Sequence, residues 1–115
     1  MSGTPPNPRF DLHVERRDSV AILRVSGELD ITGAEFLETR IKELAGDSPD
    51  VVVIDLREVS FMDSTGLRSL LLARARGSDE GWSLKLIRGP EPVHRVLELT
   101  RMDEVFDFVD ASEFD

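Results

Sequence analysis

"VVVIDLREVSFMDSTGLRSLLLARARG", residues 51 to 77, decides the fold. "VVVIDL" is almost continuously apolar and rich in β-branched side chains, the composition of a central strand covered on both faces. "MDSTGL" then reads as a helix start. Asp63 is the N-cap, Met62 and Leu67 take the N′ and N4 positions of a hydrophobic staple, and Leu67, Leu70 and Leu71 begin a buried face. Ser64 and Thr65 are then first-turn residues. Gly66 fits least well, because a first-turn glycine costs up to ~1 kcal/mol relative to alanine. It predicts that another part of the chain approaches the backbone closely there.

Upstream, "FDLHVE" (10–15) alternates Phe10, Leu12 and Val14 against Asp11, His13 and Glu15, as a half-exposed strand does. "RRDS" turns the chain into "VAILRVSGEL" (20–29), an expected antiparallel partner. In "DITGAEFLETRIKELAGD" (30–47) the spacing of Thr32 and Glu35 predicts a capping box, with Ile31 and Phe36 as its staple. Ala34, Leu37, Ile41 and Leu44 then form the buried stripe, and Gly46 is expected to supply a left-handed stop. Downstream, "WSLKLI" (82–87) turns Trp82, Leu84 and Leu86 inward. "GPEPVHRVLELT" (89–100) predicts a short helix burying Val93, Val96, Leu97 and Leu99, and "VFDFV" (105–109) a last short strand. The expected fold is a single α/β domain over residues 10–110, a mixed β-sheet packed with α-helices in the order β-β-α-β-α-β-α-β. A loose, proline-rich tail over 1–9 and an acidic tail over 111–115 flank it.

A chain of 115 residues buries about 65% of its unfolded surface on folding, enough for a core without staples. There is no cysteine, and the net charge is −9. The absence of cysteine suits a reducing compartment, and no apolar run approaches the ~20 residues of a membrane span. A cytoplasmic protein is expected, with neither nucleic acid nor an anionic membrane as partner, since those require basic clusters. A basic protein surface is the better match.

Enzymatic chemistry finds no footing. His13 and His94 read as solvated surface residues, and no spacing for metal ligands or a phosphate cradle occurs. "DSTG" is one residue longer than the D-[ST]-G of aspartic proteases and occurs where a second carboxylate motif is missing. Ser64 lacks a neighbouring base, and Lys42 and Lys85, the only lysines, lie on periodic elements as solvated side chains. No catalytic residue, cofactor or metal site is expected.

"GELD" (27–30), "VVVIDLREVSFMDSTGL" (51–67) and "PEPVHRVLELTRMDEVFDF" (90–108), in this order and spacing, resemble the STAS domain of bacterial anti-sigma factor antagonists. The resemblance spans about Leu12 to Val109. It implies a regulator of transcription that works by partner switching. Unphosphorylated, such a protein binds an anti-sigma factor that is itself a serine kinase; phosphorylation of the serine after the motif aspartate, Ser64 here, releases it. A PP2C-type phosphatase resets the switch, and ATP and magnesium belong to the kinase. The implied partner surface comprises Asp30, Asp63, Ser64, Thr65, Gly66 and Arg68, on a protein expected to be a monomer. Arg68 stands where many relatives carry a second glycine, and Arg101 interrupts a T-G-L found in many relatives after the last helix. The alternative reading is a STAS interaction module that is not phosphorylated, such as a scaffold or sensor subunit or a soluble partner of a transport complex.

Overall fold

The computed structural model describes residues 9–115. Its elements are β1 (Phe10–Arg17), β2 (Val20–Leu29), α1 (Ile31–Ala45), β3 (Val51–Met62), α2 (Ser64–Glu80), β4 (Ser83–Ile87), α3 (Glu91–Leu99) and β5 (Asp107–Phe108), with single 3-10 turns at Met102–Glu104 and Ala111–Glu113. The strands lie in sequence order across one sheet; β1 is antiparallel to β2 and every later pair is parallel. Right-handed crossovers that always step in the same direction put every helix on the same face. One core accordingly holds Leu37 and Ile41 of α1, Leu67 and Leu70 of α2, and Val93 and Leu97 of α3 against Leu23, Ile54 and Leu86 of the sheet. Among the described strands the order never reverses, so they form no switch point at which loops part into a crevice.

β3 is covered on both faces, as its composition predicts, but the second cover is the C-terminal segment. Ile22, Val53 and Ile87 are buried beneath Val109, Ala111 and Phe114. Beside this strip Asp55, 6% exposed, accepts from Arg24 Nη1 at 3.0 Å and Arg57 Nη2 at 2.8 Å. Burial pushes the Asp55 carboxyl up, but the hydrogen bonds and charge of Arg57 and Arg24 outweigh it and hold the group below its ordinary value. Residues 111–115, read as an acidic tail, close over this cluster: Arg24 donates to the Phe114 carbonyl at 2.8 Å and Arg57 to Asp115 at 2.8 Å. Residues 1–8 of the expected N-terminal tail lie outside the described residues, while the Arg9 carbonyl accepts from Glu28 N–H.

Several local expectations give way to packing. α1 is capped by Asp30, and the Thr32–Glu35 box does not form, because β2 ends at fully buried Leu29 and the next residue takes the cap position. With the cap at Asp30, Ile31 is pushed to the surface, 61% exposed. Gly46 is right-handed at φ −64°, and the positive φ falls two residues later, on Ser48. Leu99 is 75% exposed at the end of α3, whose inward face is Val93, His94 and Leu97. His94 itself is only 5% exposed, its ring edge-on to Phe108 with centroids 5.3 Å apart. The surface role expected for it fails because β5 folds back over that side of α3.

Candidate functional site

β2 and β3 run parallel with Leu29 opposite Met62, so Asp30 and Asp63 leave the sheet as neighbours at its C-terminal end. Each then starts a helix in the same way. Asp30 Oδ1 accepts from the N–H groups of Thr32 and Gly33, both at 3.1 Å. Asp63 Oδ1 accepts from those of Thr65 and Gly66, both at 3.0 Å. The two caps share an extended backbone, φ −100° and ψ −165° at Asp30 against φ −108° and ψ −170° at Asp63.

The equivalence is written in the chain as a short repeat, D-I-T-G at 30–33 and D-S-T-G at 63–66. Both glycines are packing sites. A Cβ on Gly33 would stand 2.7 Å from the Phe10 ring and 2.8 Å from the Glu28 carbonyl; one on Gly66 would run into the Leu29 carbonyl oxygen. The close approach expected at Gly66 is therefore the end of β2. Gly66 faces inward and offers no surface. The copies differ at their second position, where the first carries an exposed isoleucine and the second an exposed hydroxyl, Ser64.

A groove of about 130 Å³ lies between α1 and α2 and reaches Thr65, the residue after Ser64. Its walls include Ile31, Ala34 and Glu35 from α1 and Thr65, Arg68 and Leu72 from α2. Arg68 is exposed one turn beyond Ser64, is the sole cation in that lining, and makes no ion pair among the described residues. Asp30, Asp63, Ser64, Thr65 and Arg68 are thus gathered at one end of the molecule. A larger hollow of about 300 Å³ lies further along the same helices, between Glu38 and Ile41 on one side and Arg76 and Glu80 on the other.

Chemically the site presents a hydroxyl. Ser64 is exposed at the first position of α2, open to a partner's approach. An anion on Ser64 would meet the positive end of the α2 dipole. The Thr65 and Gly66 N–H groups, however, are already held by Asp63, whose carboxylate adds negative charge beside the hydroxyl.

Comparison with known proteins places these features in context. The model of the STAS domain family matches residues 11–114. The anti-sigma-F factor antagonist RsfB of Mycobacterium tuberculosis is 31% identical over 93 residues, which cover 81% of this chain and 75% of RsfB. The crystal structure of an anti-sigma factor antagonist from Mycobacterium paratuberculosis superposes with a TM-score of 0.78 at 32% identity, covering 89% of this chain and 87% of that one. The anti-sigma factor antagonist SpoIIAA shares the fold in its unphosphorylated form, with a TM-score of 0.77 at 18% identity over 90% of this chain and 91% of its own. As the Bacillus cell fate determinant in its phosphorylated form it does so at 0.69 and 17%, over 90% and 95%.

Proposed function

The chain belongs to the STAS domain family, among its anti-sigma factor antagonists, and on that premise we propose that it regulates transcription by partner switching through Ser64. Unphosphorylated, the protein binds an anti-sigma factor with serine kinase activity and frees the sigma factor. The kinase transfers the γ-phosphoryl group of ATP to Ser64 Oγ, the serine proton passes to a base of the kinase, and ADP leaves. A PP2C-type phosphatase hydrolyses the phosphoserine and restores binding. The chain is ligand and substrate in this cycle, and the catalytic groups are its partners'.

The observation that carries the reading is the exposed hydroxyl of Ser64 at the first position of α2, in one of two equally built caps. That SpoIIAA, with the same fold, exists in phosphorylated and unphosphorylated forms supports it. Asp30, Asp63, Thr65 and Arg68 complete the docking surface, and Gly66 shapes it from beneath. Switching follows from charge. A phosphate adds ~1.5 to 2 negative charges, and a closely docked partner leaves no room for its hydration.

The test is phosphorylation by the cognate kinase with ATP, followed by peptide mapping. Phosphate on Ser64, absent from Ser64→Ala, is the expected result. A Ser64→Ala protein that accepts phosphate at the wild-type rate overturns the assignment. A wild-type protein that binds its partner and never accepts phosphate points to the unphosphorylated interaction module.

A further inference from the structure

Three side chains able to ligate a metal, His94, Glu98 and Asp103, come together at the end of α3. His94 and Glu98 stand one turn apart on α3, on the same helix face. Arg101, at φ +61°, then turns the chain, and Asp103 follows from the 3-10 turn. One ring nitrogen of His94 and one carboxylate oxygen from each acid lie within 4.8 Å of one another.

Two features mark this group as a site. His94 is buried, and its Nδ1 has no hydrogen-bond partner among the described residues, whereas buried polar atoms are nearly always paired. Neither Glu98 nor Asp103 makes an ion pair with a cationic side chain among the described residues, so both carboxylates beside the buried imidazole are available as ligands.

We propose that His94, Glu98 and Asp103 bind one divalent transition-metal cation of the zinc type. Two carboxylates and a neutral imidazole cancel a charge of +2. The imidazole favours zinc and its neighbours over magnesium and calcium, which take oxygen ligands, and without a thiolate the set does not suit Cu(I). Zinc holds such donors at ~2.0–2.2 Å, so the three atoms must draw in toward one another by roughly an ångström. Exposed Glu98 and half-buried Asp103 have the freedom to do so, while His94, fixed beneath Phe108, serves as the anchor. Three protein ligands leave a fourth position to water. The bound cation ties the end of α3 to the segment that leads into β5. The excess negative charge of the chain enriches cations around it.

Calorimetric titration of the chelator-treated full chain with ZnCl₂, and optical titration with CoCl₂, test this. One ion per chain is expected. Glu98→Gln, at an exposed position, and Asp103→Asn, at a half-buried one, should each weaken zinc binding by at least ~10-fold while the circular dichroism spectrum stays as in wild type. His13→Asn, the control at the other histidine, should leave affinity unchanged, and the imidazole ¹⁵N resonances of His94 alone should shift on loading. No saturable binding up to 1 mM zinc overturns the site, a limit of about 4 kcal/mol of binding free energy. So does binding that neither carboxylate variant weakens, or that His13→Asn abolishes.

Discussion

Gly66 shows how one residue connects the sheet to the site. As a glycine in a first helical turn it is anomalous in the sequence alone, and that anomaly predicts a close neighbour. The neighbour's identity was not legible, because the Leu29 carbonyl reaches it only through the pairing of β2 with β3. Gly66→Ala would drive a methyl group into that carbonyl oxygen and within 2.8 Å of Met62 Cγ. The side chain of Met62 has rotamers to yield with; a backbone carbonyl at a strand end does not. Gly66→Ala is therefore expected to destabilise the protein by about 3 kcal/mol, the upper part of the usual overpacking range. Urea unfolding followed by circular dichroism reads this directly, and a loss below ~0.5 kcal/mol would mean that α2 lifts off the strand end freely.

The physics of the helix starts limits what a charge on Ser64, the step at the centre of the proposed switch, does to the free protein. Since Asp63 already satisfies the Thr65 and Gly66 N–H groups, a new anion gains little beyond the α2 dipole and loses some of that to repulsion from Asp63. Arg68, exposed one turn on and unpaired among the described residues, offsets part of the repulsion. Ser64→Asp should consequently keep its thermal midpoint within a few degrees of wild type. Its affinity for the proposed kinase partner should nonetheless fall by ~1 to 3 kcal/mol, the usual scale of coupling between a switch and a ligand. Thermal unfolding and a binding titration of the same variant separate the two effects; unchanged affinity, or a largely unfolded variant, would sink the interface account. The helix at Asp63 was legible because cap, staple and buried stripe agree. At α1 the T-x-x-E signal was overridden, since the cap falls where the buried strand ends, and burial of Leu29 is a tertiary fact.

Across the whole molecule, periodicity was enough to order the strands and helices, and the antiparallel start follows from the short "RRDS" turn. What no local signal contains is the cover of the sheet's second face, which depends on residues as far as 58 and 90 positions apart. Phe114 and Asp115 come to β2 and β3 from the far end of the chain. This second face makes the fold sensitive to acid. Asp55 is held below its ordinary value of 3.8 by Arg57 and Arg24 despite its burial, and Arg57 in turn holds Asp115 down. A carboxyl whose folded value is depressed contributes stability that is complete above its unfolded value and is lost as the pH falls through the folded one. The unfolding free energy should therefore be nearly level from pH 7 to about 5 and decline below about 4. Asp55→Asn removes the charge that Arg24 and Arg57 share. Its cost should be roughly 2 to 3 kcal/mol at pH 7, less than for a fully enclosed pair because both arginines keep contact with water. The decisive measurement is the difference between the two proteins against pH. That difference should shrink as the pH drops below 4, where protonation of Asp55 in wild type does what the substitution does, and a gap that stays constant down to pH 2 would exclude the Asp55 cluster as the source of acid sensitivity.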